Sequence, residues 1–195
     1  MKSKLNICYI CGPIGDIFVL WRFGAYDSAS TLDIRYKAVK YFENKDKIKL
    51  HFKSGYDFEN FGTGLEKSIP EKGGIFYSSK AKLSNIMKKM DVFILEFPST
   101  TLCEVIATKA PILLLTDSRA IKLRASCETL LEKRVFISRT PDHFLQDINE
   151  LCQEGSSSQF FKKPRVSNEF YEQFLTGPQG NSVDRTSSFL NDLLV

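Results

Sequence analysis

The sequence predicts one doubly wound α/β domain on a parallel sheet, and three observations carry that prediction. Apolar runs of strand length recur along the 195 residues. Segments with helical spacing separate those runs. The strands are apolar throughout rather than alternating, as a sheet covered by helices on both faces requires.

Taken in order, LNICYIC (Leu5–Cys11) is the first strand. A polar loop with aromatic residues follows, and within it GPIGD (Gly12–Asp16) is similar to the glycine loops that open nucleotide-binding folds. It lacks the G-x-G-x-x-G pattern and is read as a flexible loop beside a cleft. LDIRYKAVKYFENK is a helix with Ile34, Ala38, Tyr41 and Phe42 on one face. Lys47–Phe52 and Gly73–Ser79 are the second and third strands. KAKLSNIMKKM is amphipathic, with Leu83, Ile86, Met87 and Met90 at spacings of three and four.

DVFILE is the fourth strand and TLCEVIATK a helix that ends before Ala110-Pro111, because the residue ahead of a proline avoids helical geometry. ILLLT is the fifth strand, AIKLRASCETLLEKR a helix and VFIS the sixth strand. Thr140-Pro141 opens the next helix as cap and first-turn proline. EGSSSQFFKKP is a loop, and NEFYEQFL and SVDRTSSFLNDLL are two closing helices. No repeat and no linker divides residues 1–195, so a single Rossmann-like domain is expected.

The 43% hydrophobic content suffices for a core, and 26% charged residues is ordinary for a globular chain. A net charge of +4 is mild. Its small clusters (Lys45, Lys47 and Lys49; Lys88 and Lys89; Lys133 and Arg134; Lys162, Lys163 and Arg165) read as solvated faces or, failing that, as an anion-binding or peripheral membrane surface. No nucleic-acid-reading motif accompanies them, so no nucleic-acid partner is expected. The five cysteines are odd in number and sit in apolar segments, which suits reduced thiols in the cytoplasm. Cys8 and Cys11 have CxxC spacing without a second pair, which argues against a zinc or redox site. No signal peptide and no run near 20 apolar residues is visible, and no metal or cofactor is expected.

In doubly wound sheets ligands sit beyond the carboxyl ends of strands, beside helix N-termini. That rule directs attention to EFPSTTLCE, Glu96 to Glu104. A helix start offers unpaired N–H groups and partial positive charge, and Ser99, Thr100 and Thr101 add hydroxyls, a combination suited to phosphate. Thr101 and Glu104 also fit a capping box, which needs no ligand. The cap accounts for one threonine and leaves Ser99 and Thr100 unexplained.

DVFILEFPSTTLCEVIATKAPILLL resembles the carboxy-terminal, nucleotide-sugar-binding domain of GT-B glycosyltransferases, most closely those of bacterial surface-carbohydrate biosynthesis. The resemblance implies that Ser99, Thr100 and Thr101 hold the donor phosphate or diphosphate and that Glu104 accepts from the ribose hydroxyls. Glu96 and Glu104 stand at the Glu-x7-Glu spacing of many retaining members, with Phe97-Pro98-Ser99 where glycines usually follow. IKLHFKS is similar to the KxHP strand end of related sialyl- and glycerophosphotransferases, with Phe52 at the proline. That likeness implies a donor-phosphate contact for His51 with Lys53 nearby, whereas a lone histidine at a strand end is otherwise a structural residue. His143, on a helix face, is read as structural. FLTGPQGNSVDRTSSFL resembles the family's closing turn and helix, with Asn181 and Ser182 at its start and Arg185 in its first turn as a phosphate or carboxylate partner or a surface residue.

The family's acceptor domain, with its catalytic base, has no counterpart here. The expectation is therefore half of a GT-B fold: a cytoplasmic donor-binding domain with His51 and Glu96 as catalytic candidates and Ser99, Thr100, Thr101, Glu104 and Lys53 as substrate-binding ones. Its partners would be a nucleotide-sugar donor and an acceptor-domain subunit or N-terminal domain. Alternatives on the same fold are polyol-phosphate transfer, sugar-nucleotide epimerisation and a non-catalytic binding module.

Overall fold

The computed structural model describes residues 4–12, 28–55, 64–117, 119 and 123–176. Six strands form one parallel sheet in the order β3-β2-β1-β4-β5-β6. They are β1 (Leu5–Ile10), β2 (Ile48–Lys53), β3 (Ile75–Tyr77), β4 (Val92–Leu95), β5 (Ile112–Leu115) and β6 (Phe136–Ser138). The helices between and after them are α1 (Ser28–Tyr41), α2 (Leu65–Glu71), α3 (Leu83–Met87), α4 (Thr100–Val105), α5 (Ala125–Glu132) and α6 (Pro141–Glu154). Two short helices, α7 (Gln159–Lys162) and α8 (Glu169–Tyr171), follow. β1 lies at the centre, paired to β2 from Leu5↔Ile48 to Ile10↔Lys53 and to β4 from Ile7↔Val92 to Ile10↔Leu95. The chain reverses its direction of travel across the sheet there, which makes the β1–β4 edge the topological switch point.

Alternation along the strands divides the core in two. Ile7, Tyr9, Leu50, Phe52, Val92 and Ile94 meet Ile34, Ala38 and Val39 of α1 and Phe144, Ile148 and Leu151 of α6 on one face. Cys8, Ile10, Phe93, Leu95, Ile112 and Leu114 meet Ile86, Leu102, Val105 and Leu131 from α3, α4 and α5 on the other. Tyr9 stacks on Phe52 at 5.3 Å and 8°, so neighbouring strands are keyed by their rings as well as by backbone bonds. Complete burial of Phe144, Ile148 and Leu151 stabilises α6 on the sheet by roughly 1.5–3 kcal/mol per side chain.

Local chemistry sets the helix ends. The Thr140 hydroxyl accepts from the His143 N–H at 3.2 Å with Pro141 in the first turn, as expected, so α6 starts where its sequence signals it. Arg134 is buried and donates to the carbonyls of Thr108 and Ala110, closing the end of the α4 segment before Pro111. Arg165 donates to the carbonyls of Glu132 and Val135 and lies 4.6 Å over the Phe136 ring, pinning the chain after α7 to the edge of β6.

Several boundaries differ from the sequence reading. The third strand spans three residues and α3 spans five, because Gly73-Gly74 and the lysines around α3 are turn rather than element. Helix α5 starts at Ala125, five residues after the sequence pattern opens. The stretch read as a loop over 154–164 contains a 3-10 turn and α7, whose Phe160 is buried against Phe136 at 4.7 Å. Helix α2 is additional: Gly64 at φ 77° precedes it, and Pro70 in its last turn hides its two-residue apolar stripe, Leu65 and Ile69. On α1 the buried stripe runs through Val39, while Tyr41 is only partly covered. No helix among the described residues is long and apolar enough to cross a membrane.

Candidate functional site

The C-terminal edge of the sheet presents two unlike arrangements, one on each face. On the α4 face, an open groove of about 390 Å³ runs over the ends of β1 and β2, within the range of roughly 300–1,000 Å³ usual for small-molecule sites. Ile10, Lys53, Gly55, Lys82, Thr101 and Glu104 are among its lining residues. Lys53 is the last residue of β2 and is 7% exposed. Its ammonium donates to the Ser54 carbonyl at 2.7 Å and the Ser79 carbonyl at 3.1 Å. An ammonium has three N–H donors, so among the described residues one remains for the groove. Burial lowers the Lys53 pKa, and the nearby Cys11, Cys8 and Glu104 act in the opposite direction. Gly55 is required beside it, because a Cβ there would stand 2.5 Å from the Cys11 carbonyl oxygen.

On the α1 face, Glu96 is enclosed. Arg35 Nε donates to its Oε1 at 2.7 Å and Arg35 Nη2 to its Oε2 at 2.6 Å, with side-chain exposures of 0% and 8%. Tyr9 donates to Oε1 at 2.8 Å and the Gly12 N–H to Oε2 at 2.9 Å. Arg35 Nη2 also donates to the Gly12 carbonyl at 2.6 Å, so one ion pair joins β1, α1 and β4 at the switch point. Burial opposes the guanidinium charge, yet Glu96 raises the Arg35 pKa on balance; burial and the same carboxylate hold the Tyr9 phenol well above its ordinary value. A carboxylate holding four protein donors is built as scaffold.

The sheet itself therefore separates Glu96 from Glu104. Residue 96 continues the alternation of Ile94 toward α1, while Glu104 lies on α4 across the sheet. The Glu-x7-Glu spacing does not bring the two carboxylates to one cavity.

The Ser-Thr-Thr turn is organised differently from a capping box at Thr101. Ser99 is the cap: its hydroxyl accepts from the Thr101 N–H at 3.3 Å, and the Leu102 N–H donates to the Ser99 carbonyl at 2.9 Å. Two amides at this start are thus taken up within the protein. With six residues, α4 is also too short to build much of a macrodipole. Of the three hydroxyl residues only Thr101 lines the groove; Ser99 is spent on the cap and Thr100 is exposed outside it.

His51 lies inside β2, opposite Cys8 in register and 6% exposed. Its Nε2 is 3.1 Å from Asn6 Oδ1, its Nδ1 3.0 Å from the Tyr77 hydroxyl, and its ring stacks on Tyr77. With the proton on Nε2 facing the amide oxygen, Nδ1 accepts from the phenol, and the neutral ring is satisfied on both sides. Burial lowers its pKa, and the charges of Lys49 and Lys89 act in the same sense. His51 does not line the groove. His143 lies on the exposed side of α6, 3.7 Å from Asp147, which accepts from the Ser138 hydroxyl at 2.6 Å.

Cys8 and Cys11, three apart across the end of a strand, belong to opposite core clusters. Burial raises their pKa values to about 12 and about 11, which leaves both as thiols. Among the described residues no group of three or more His, Cys, Asp or Glu side chains is placed to hold a metal ion. Asn181, Ser182, Arg185 and all of Gly12–Asp16 after its glycine lie outside the described residues.

Of the residues singled out from sequence, the fold brings Lys53, Thr101 and Glu104 together and sets His51, Glu96, Ser99 and Thr100 apart from them. Arg35 was missed although a signal existed: it shares the 35, 38, 39, 42 stripe of α1, where an arginine among Ala38, Val39 and Phe42 implies a buried counter-ion. No family model matches the chain, and no curated protein matches it.

Proposed function

We propose that this chain is the nucleotide-sugar-binding half of a GT-B glycosyltransferase of surface-carbohydrate biosynthesis, with the donor phosphate held in the Lys53–Thr101–Glu104 groove. One observation carries the reading. Lys53 is nearly buried, fixed by two carbonyls, and keeps an N–H for a groove at the C-terminal edge of a parallel sheet. An ammonium oriented in this way, with the Thr101 hydroxyl beside it, offers charge-assisted bonds to a phosphate oxygen. The same pair would stabilise charge developing on a departing nucleotide phosphate, without reorganising when it forms. Glu104, the carboxylate of this lining, accepts from ligand hydroxyls such as those of a ribose.

In this reading the grip comes from side chains rather than from the start of α4. His51 and Glu96 support the two strands that deliver Lys53 and the α4 turn, and neither touches the donor. The base that activates the acceptor hydroxyl is supplied from a second domain or subunit facing the open side of the groove.

The test is titration calorimetry with CMP-, CDP-, UDP- and GDP-linked sugars. At least one donor binds, and Lys53→Met weakens it at least about tenfold, the loss of one bond to a charged group. Lys53→Met in a protein that still binds its donor unchanged would remove the groove from the function. Absence of binding to every donor leaves a non-catalytic module on this fold.

A further inference from the structure

A second cation shares the groove. Lys82 caps α3 in an extended conformation, φ −67° and ψ 123°, and its side chain lines the rim that Lys53 floors. The segment carrying it is fixed from both sides. Ala81 and Leu83 pack against the α4-face core, the Ala81 N–H donates to the Ser78 carbonyl at 3.1 Å, and Ile86 is buried one turn further on. Ser79, three residues before Lys82, is also the residue whose carbonyl holds the Lys53 ammonium. The two lysines are therefore registered to one another through a single stretch of backbone. Against them the described residues of the lining set one carboxylate, Glu104.

We propose that Lys82 determines specificity in this groove, selecting a diphosphate over a monophosphate. The inference rests on the nucleotide-binding reading above and refines it. Among the described residues Lys53 keeps one N–H, which matches one anionic phosphoryl group, all that a monophosphate-linked sugar presents. Adding a second phosphoryl group beside Glu104 places two negative charges against a third, and Lys82 is the second cation of the described lining that can offset that repulsion.

The experiment compares UDP with UMP, and pyrophosphate with phosphate, by calorimetry on the wild-type chain, Lys82→Met and Lys53→Met. The wild type prefers UDP over UMP, and pyrophosphate over phosphate, by about tenfold, the equivalent of one charge-assisted bond. Lys82→Met narrows both preferences to within about twofold by weakening the diphosphates more than the monophosphates, whereas Lys53→Met weakens all four probes. Lys82 is exposed, so its variant folds as the wild type does, which circular dichroism checks. A preference that survives Lys82→Met, or a wild type without one, overturns the proposal. Should pyrophosphate bind with the Lys82 dependence while neither nucleotide does, the lysine pair stands and the nucleotide reading fails. Silence from all four probes overturns both.

Discussion

The two faces of the sheet's C-terminal edge hold acidic residues in opposite states. Toward α1, Glu96 is enclosed with Arg35, Tyr9 and the Gly12 amide, at distances of 2.6 Å to 2.9 Å. Toward α4, Glu104 lines an open groove with Lys53 and Thr101 and is exposed. The difference is one of saturation. A carboxylate surrounded by four donors has no capacity left for a ligand, and its energy goes into holding three elements in register. An open groove with an ammonium still holding a donor among the described residues is not saturated by protein, and that is the feature on which the proposed binding role rests.

Removing Glu96 breaks the closed side most severely. Glu96→Ala leaves the Arg35 guanidinium buried without a counter-charge and is expected to lower stability in urea by about 3–5 kcal/mol. Replacing both partners with apolar residues, Arg35→Met with Glu96→Leu, recovers at least half of that loss, because a buried pair is costly to halve and cheap to delete whole. A Glu96→Ala protein of undiminished stability that lost its ligand would move Glu96 from scaffold to site.

Stability depends on pH through the histidine of β2. His51 has a lowered pKa, through burial first and then Lys49 and Lys89. The unfolded chain takes up its proton near pH 6.5, the folded chain only at lower pH. The contribution of neutral His51 is therefore complete above about pH 6.5 and is lost as pH falls through the folded value. Urea midpoints between about pH 7.5 and pH 5 fall for the wild type, and His51→Gln flattens part of that fall. Parallel slopes for the two proteins would mean that His51 titrates alike in the folded and unfolded chains.

The smallest effect separates the hydroxyls. Ser99→Ala removes the cap of α4 and costs about 0.5–1 kcal/mol, at the low end because the bond is 3.3 Å long. Thr101→Ala stays within about 0.5 kcal/mol in stability, since its hydroxyl serves the groove rather than the helix. A thermal scan in which Thr101→Ala is the more damaging would reverse the assignment of cap and ligand group.

Much of the architecture was legible in the residues. Fully apolar runs such as VFIL and ILLL announced buried parallel strands, and Thr140-Pro141 announced the start of α6, because such signals are local and repeat at the period of the element. The parts that misled are those where local rules compete. Ser99, Thr100 and Thr101 all satisfy the preference for a helix start, and only the backbone turn at Ser99, φ −123° and ψ −175°, selects which one caps. Helix α2 was hidden because Pro70 and the glycines around it are breakers by themselves and tolerated only at a helix end.

The sequence by itself determined the alternation of strands and helices, the two apolar faces, and the presence of Lys53, Thr101 and Glu104 at element ends near one edge. Tertiary structure alone decided which of the marked residues meet: Arg35 with Glu96 across 61 positions, Tyr9 with Glu96 across 87, and Lys53 with the Ser79 carbonyl across 26. The physical reason is that periodicity records which face a side chain takes, whereas its partner is set by which strand lies alongside. Strand order is a property of the whole sheet, and it placed β1 between β2 and β4.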